Sequence, residues 1–353
     1  MLIKIFLALE RFDSGKIKEV EKVLSNGVKQ IAIIPHLNPD GDAMGACLGL
    51  KRVLRNRGFE VKVICPTDFP EFLKWLPGLN NTLIFSEHKE EAESFIEASD
   101  LVFCLDFNDI NRVGDIAGVL KRYNGPKVLI DHHPHPQEFA DYIFSYPKAS
   151  STCELVFEFV QQIGMKENMD RDVATCLFTG ILTDTGSFSY NSSDSRTYAI
   201  VGDLLDFGID KDAIHSRVFN NYTADRMRLL GHCIGSKMVV LPEYRTAYLS
   251  ISDADMKRFN FQPGDNEGFV NIPLSIHGII FTVLFTENED RIKISFRSKG
   301  KFATNEFSAK HFNGGGHRNA SGGESNLPLE EAIRKFVALL PDYKEDLLNV
   351  EIG

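Results

Sequence analysis

The chain is short of basic residues: 39 Lys and Arg stand against 49 Asp and Glu, for a formal net charge of -10. That balance argues against a protein that coats long nucleic acid, because phosphate neutralisation by Lys and Arg supplies such affinity. It does not exclude a phosphate-bearing substrate, since bound metal ions reverse the local field. No apolar run approaches the roughly twenty residues needed to span a bilayer, so no membrane partner is expected. The six cysteines (Cys47, Cys65, Cys104, Cys153, Cys176 and Cys233) show no zinc-finger spacing, and most sit in apolar runs. They read as buried thiols of a reducing cytosol, which makes the expected location cytoplasmic. The opening MLIKIFLALERF lacks the layout of a signal peptide, because Lys4 interrupts the apolar run and Glu10 and Arg11 follow it. It is expected to form an amphipathic helix. Internal repeats and low-complexity tracts are also missing.

What is present is enough for two cores. The chain has 353 residues, 43% of them hydrophobic and 25% charged, the balance of a globular protein with two domains. Residues 30–35, 61–65, 101–105 and 127–130 read as short buried strands. Helical patterns lie at 42–57, 152–163 and 171–183. This alternation predicts an α/β fold: an N-terminal, mainly parallel sheet flanked by helices. Residues 194–230 read as helical connections. Strand-like runs at 237–241, 245–251, 279–286 and 291–297 follow, with a turn at ENEDR, a Gly-rich loop at 314–316 and a closing helix at 328–340. The expected division is a domain over 1–200, a helical linker over 201–236 and a smaller C-terminal α/β domain over 237–353.

Ligands of open α/β sheets bind beyond the carboxyl ends of the strands, and the polar clusters fall there. His36-Leu-Asn-Pro-Asp40-Gly-Asp42 follows the first strand, Asp106 ends LVFCLD, Asp131-His132-His133 follows 127–130, and Asp184 closes an apolar helix in GILTDTGSF. Each cluster also admits a structural role: a helix N-cap at Asp42, turns at Asp106 and Asp184, a surface histidine cluster at 131–135. Taken together they offer imidazoles and carboxylates that repel one another unless a cation intervenes. Structural zinc prefers thiolates and calcium avoids histidine. A carboxylate-rich set with imidazoles suits manganese, with magnesium, cobalt and iron as alternatives. Six ligands are too many for one open catalytic ion, so two divalent ions are expected.

The order HxxxDxD, a strand-end Asp, DHH and a helix-end Asp resembles the DHH phosphoesterase superfamily. Gly314-Gly315-Gly316-His317 resembles the motif of its C-terminal DHHA1 domain, and the resemblance runs over about residues 30–325. Carried over by motif, it implies one ion on His36, Asp40 and Asp106 and a second on Asp42, Asp106, His132 and Asp184, with Asp106 as the bridge. It further implies that His133 faces the substrate phosphate and that Asp131 orients its neighbours. Gly45-Ala46 departs from the Gly-Ser frequent in relatives, without consequence for the chemistry.

In the C-terminal half, Arg297 and Ser298 end a strand, where an arginine can grip phosphate with two donors. The 314–317 loop can offer backbone N–H groups to an anion. Arg318, Asn319 and Ser321 are candidate neighbours of that loop, and Arg112 is a further candidate near Asp106. The resemblance is nearest to the nanoRNase and 3′-phosphoadenosine-5′-phosphate (pAp) phosphatase group. It implies hydrolysis of very short RNA or of pAp by metal-activated water, with Asp106 and His133 as the catalytic pair. Cyclic di-AMP or pApA hydrolysis is the alternative. Exopolyphosphatase-related activity ranks below it, and a non-catalytic nucleotide-binding module comes last. The expected partner is therefore a short oligonucleotide or nucleotide rather than long double-stranded nucleic acid. A homodimer is compatible with this reading.

Overall fold

The computed structural model describes residues 11–288 and 290–351. The amphipathic segment expected at the N-terminus falls largely on residues 1–10 and lies outside the described residues, as does Glu289 in the ENEDR turn. The chain divides into two compact units between Asn221 and Tyr222.

In the first unit, strands β1 (Gln30–Ile34), β2 (Glu60–Cys65), β3 (Leu83–Ile84), β4 (Leu101–Leu105), β5 (Lys127–Asp131) and β6 (Tyr142–Ser145) form one sheet in the order β3-β2-β1-β4-β5-β6. Every neighbouring pair is parallel. Helices cover both faces, as parallel sheets require. They are α1 (Ser14–Ser25), α2 (Gly41–Asn56), α3 (Lys89–Ala98), α4 (Ile116–Arg122), α5 (Thr152–Gln162), α6 (Arg171–Asp184), α7 (Ser195–Leu205) and α8 (Lys211–Phe219). Alternate strand residues feed two separate cores. Ile31, Ile33, Phe103 and Ile130 pack with α2, α5 and α6, while Ala32, Ile34, Cys104 and Leu129 pack with α3 and α4. The strand order reverses direction between β1 and β4, which makes the ends of those two strands the switch point where such sheets bind ligands. The helices at 195–219, which the sequence reading split between the first domain and a linker, both lie in the first unit.

Helices α2 and α6 touch backbone to backbone. A Cβ on Gly45 would lie 2.5 Å from the Cys176 carbonyl oxygen, and one on Gly180 would lie 3.1 Å from the Asp42 Cα. Only glycine permits that approach, and it brings Asp42 of α2 beside the end of α6, where Asp184 stands.

The second unit begins with α9 (Ala224–His232) and contains β7 (Val239–Leu241), β8 (Thr246–Ile251), α10 (Asp253–Arg258), β9 (Phe281–Glu287), β10 (Ile292–Ser298), α11 (Thr304–His311), β11 (Gly315–His317), β12 (Ala320–Ser325), α12 (Leu329–Leu339) and α13 (Lys344–Leu348). Its sheet runs β11-β12-β10-β9-β8-β7, antiparallel except for β8 beside β9. Phe281, Phe285, Phe296, Phe307 and Phe336 form an aromatic core under α11 and α12. The Gly-rich segment expected as a loop is in fact a strand: Gly315, Gly316 and His317 pair with Gly322, Ser321 and Ala320. Glycine runs carry no apolar alternation, so the sequence conceals such a strand. Among the described residues no helix is long and apolar enough to cross a membrane.

Candidate metal centre

The site is built from strand ends and helix ends. His36 leaves β1 and its Nδ1 lies 2.9 Å from the Leu37 carbonyl, which fixes the proton there and turns Nε2 toward the carboxylates. Asp40, rather than Asp42, caps α2: its Oδ1 accepts from the Asp42 and Ala43 amides at 3.0 and 3.1 Å, while Oδ2 lies 3.9 Å from His36 Nε2. The cap and the ligand readings of this motif are therefore compatible, one oxygen serving each.

Asp106 follows β4 with φ +67, a left-handed conformation for a residue with a side chain. Such a turn costs about 1–3 kcal/mol, and here it directs a buried carboxylate back across the strand ends. Its Oδ2 lies 3.5 Å from His36 Nε2, and its Oδ1 lies 3.7 Å from His132 Nε2 and 2.8 Å from the Thr152 hydroxyl, which donates to it. The two oxygens thus face two different histidines.

On the second side, His132 Nε2 lies 3.8 Å from Asp42 Oδ2 and 3.6 Å from Asp184 Oδ2. Asp42 is 1% exposed, and its oxygens accept from the Thr152 and Cys153 amides at 2.6 and 2.9 Å, at the start of α5. Asp184 stands on the last residue of α6, with no basic residue in that turn. The carbonyl end of a helix disfavours an anion by about 0.3–1 kcal/mol, so a cation is the natural companion there. Behind these, Asp131 Oδ1 accepts from His133 Nδ1 at 2.7 Å, which fixes the ring and its tautomer. Arg112 sits close enough to His36 that its charge opposes protonation of that ring.

The electrostatics show a site short of positive charge. Burial would lower His132, but Asp184, Asp106 and Asp42 outweigh it and hold its imidazole up at about 9. Burial likewise opposes protonation of His36, and Asp106 and Asp40 raise it nonetheless. Burial, with Asp106 and Asp184 adding to it, pushes Asp42 well above the carboxylate range. Asp106 moves the other way: burial would raise it, but His36, His133 and His132 together hold it below that range. Two donor sets, His36-Asp40-Asp106 and Asp42-His132-Asp184, each have ligand atoms within 4.8 Å of one another. Donors bound to one ion at about 2.0–2.2 Å stand roughly 3–4 Å apart, so the spacing here needs little adjustment. Asp131 Oδ2 is buried and accepts no hydrogen bond among the described residues. The residues fit divalent ions.

In the second unit, β-register places His317, Ala320 and Arg297 in one row across β11, β12 and β10. Residues directly opposite one another share a face, so Arg297 and His317 flank the small Ala320 on one side of the sheet. Gly316 has φ +135 and a Cβ there would meet the Ala320 carbonyl at 2.8 Å, so this strand can lie against its partner only as glycine. Ser298 is not brought to that row. Its hydroxyl donates to the Phe302 carbonyl at 2.7 Å and accepts from Asn319 at 2.8 Å, holding a turn. Gly314 and Arg318 flank the same hairpin, with the Arg318 carbonyl accepting from the Thr304 amide and hydroxyl. The sequence reading missed the segment Ala149–Cys153, whose polar atoms hold Asp42, Asp106 and His132. Its signal was Ser151 ahead of Glu154 at the start of a helix, a pattern that reads only as a cap.

Residues 30–181 match the DHH family N-terminal domain, and residues 245–346 match the DHHA1 domain. A Thermus thermophilus protein named bifunctional oligoribonuclease and PAP phosphatase is 27% identical over 91% of this chain and 92% of its own. The Bacillus subtilis protein of that name is 29% identical over 88% and 93%. A solved structure from Bacteroides fragilis, described as an exopolyphosphatase-related protein, superposes with a TM-score of 0.92 at 40% identity, covering 96% of this chain and 98% of its own. The chain belongs to the DHH family of metal-dependent phosphoesterases and carries a DHHA1 domain in its C-terminal unit.

Proposed function

We propose that this protein hydrolyses short RNA oligonucleotides and PAP, using two divalent ions, manganese first, held by His36, Asp40 and Asp106 and by Asp42, Asp106, His132 and Asp184. The observation that carries the reading is Asp106, whose two oxygens face two histidines at 3.5 and 3.7 Å at the switch point of the sheet. When bound, such a pair supplies Lewis-acid neutralisation of phosphoryl oxygens and activation of water. The chain's own residues do the rest. The Leu37 carbonyl keeps His36 Nε2 directed at the donor set. Asp131 fixes His133 so that its Nε2 edge meets a substrate oxygen and stabilises charge developing there. In the second unit, Arg297 and His317 bind a substrate phosphate from one face of the sheet, with the Gly315–Gly316 backbone beside them.

The names of the relatives support the substrate class, and the description of the 40% identical structure makes polyphosphate the competitor. One assay separates them: phosphate release and chain shortening with Mn2+ on PAP, di- to pentanucleotides, cyclic di-AMP and polyphosphate. Turnover per molecule should be highest on PAP and the shortest RNAs and should fall with length, because long strands need an extended basic groove, which a net charge of -10 does not favour. A fifty-nucleotide strand degraded as fast as a dinucleotide, or polyphosphate as the preferred substrate, contradicts the proposal.

A further inference from the structure

Between Ala149 and Cys153 one short segment touches three of the six donor residues. The Ala149 carbonyl lies 3.3 Å from His132 Nδ1. The Thr152 and Cys153 amides donate to the two oxygens of Asp42, and the Thr152 hydroxyl donates to Asp106 Oδ1 at 2.8 Å. Thr152 therefore holds one carboxylate of each donor set, Asp42 by its backbone and Asp106 by its side chain. Its own side chain is buried, and a β-branched residue has few rotamers, so the hydroxyl has little freedom to turn away.

The segment is fixed from behind. Ser151 caps α5 by accepting from the Glu154 amide at 3.1 Å. Glu154 is fully buried: its Oε2 accepts from the Ser150 amide and hydroxyl at 3.2 and 2.5 Å and from the Thr197 hydroxyl at 2.8 Å. Its Oε1 lies 2.5 Å from Arg11 Nη1. A buried carboxylate held in this way by an ion pair and three donors does not move readily, because losing the ion pair would leave charge uncompensated.

We infer that Thr152 is a positioning residue for the metal pair, setting the distance between the two donor sets by holding Asp106 and Asp42 at once, with the Glu154–Arg11 pair as its anchor. This rests on the metal reading above. Outer-shell partners of ligands typically change metal affinity or activity by about 10–100-fold, and this one reaches both sets.

The test is calorimetric titration of Mn2+ into the metal-free full chain, with a thermal melt of each metal-free protein. Thr152→Val removes the hydroxyl at constant volume and should weaken Mn2+ binding about 10–100-fold while the metal-free melt stays near that of the wild type. Thr152→Ser restores the hydroxyl and should restore most of the affinity. If valine packs poorly, Thr152→Ala also removes the hydroxyl, without placing a methyl where it stood. Wild-type affinity in the variants lacking the hydroxyl overturns this inference alone. So does a serine variant as weak as valine, which would mean that packing rather than the hydroxyl matters. A wild type that binds no Mn2+ overturns the metal reading, and the inference falls with it.

Discussion

The two candidate binding regions are built in opposite ways. At the strand ends of the first unit, most donor atoms are buried and held by a second partner: Asp40 by two amides, Asp42 by two more, Asp106 by Thr152, and His36 by a carbonyl. In the second unit, Arg297 and His317 are half-buried residues of neighbouring strands, placed on one face by β-register over a glycine-rich edge, and the Arg297 guanidinium donates to the Phe296 carbonyl at 2.9 Å. A charge cluster that would repel itself must be assembled rigidly in advance. A phosphate grip gains from long side chains that adjust to what they hold. The first region should therefore fail as a unit, and the second by degrees.

The largest effect should come from Asp106→Ala. It removes the carboxylate facing both histidines, so both ions should be lost, and activity should drop beyond the roughly hundredfold that outer-shell losses cost. Metal analysis of the purified variant, with its fold verified by circular dichroism, checks this; a variant that keeps full activity breaks the two-ion reading.

Arg297→Ala should come next, with a selective effect. Losing a charged phosphate contact costs on the order of 1.5–3 kcal/mol, or about one to two powers of ten in kcat/KM on a dinucleotide. Its metal content should equal that of the wild type, and bis(p-nitrophenyl) phosphate should suffer less than the dinucleotide. A fall in metal content matching that of Asp106→Ala would erase the distinction between the regions.

Gly45→Ala tests rigidity without touching a charge. The added methyl meets the Cys176 carbonyl, and overpacking of this kind costs about 1–3 kcal/mol, or roughly 2–12 °C of Tm for a domain of this size. Mn2+ affinity should fall as well, because Asp42 and Asp184 ride on the two helices that must separate. A lower Tm with unchanged affinity would show that the centre tolerates movement.

Ser298→Ala should do least. Its hydroxyl holds the turn at Phe302 and Asn319, so about 1 kcal/mol of stability should be lost with kcat/KM nearly unchanged. A large rise in KM would return Ser298 to the substrate site.

The local clusters were legible in the sequence because each ligand motif sits where a buried strand or helix stops, and apolar runs mark those ends without reference to the rest of the chain. The parallel sheet followed from the same alternation. What lies between the motifs was not legible. Asp40 and Asp42 exchange the expected capping role because helix α2 begins at Gly41, a detail of backbone dihedrals rather than of residue type. The strand at Gly315–His317 was hidden because glycine has no side chain to alternate. Ser298 looked like a neighbour of Arg297 in sequence, but successive strand residues face opposite sides of a sheet.

By itself, the sequence determined the candidate donors: which residues carry imidazole or carboxylate, and which strand and helix ends carry them, because chemistry and hydrophobic period are both local properties. Only the tertiary structure brought His36, Asp40 and Asp106 together, and Asp42, His132 and Asp184 together, with Asp106 near a histidine of each group, since that depends on a left-handed turn, a helix pair in glycine contact and the Thr152 hydroxyl. The Thr152–Asp106 hydrogen bond spans 46 residues of chain and the Cys153–Asp42 one 111, and no pattern within a window of sequence encodes a distance across the sheet.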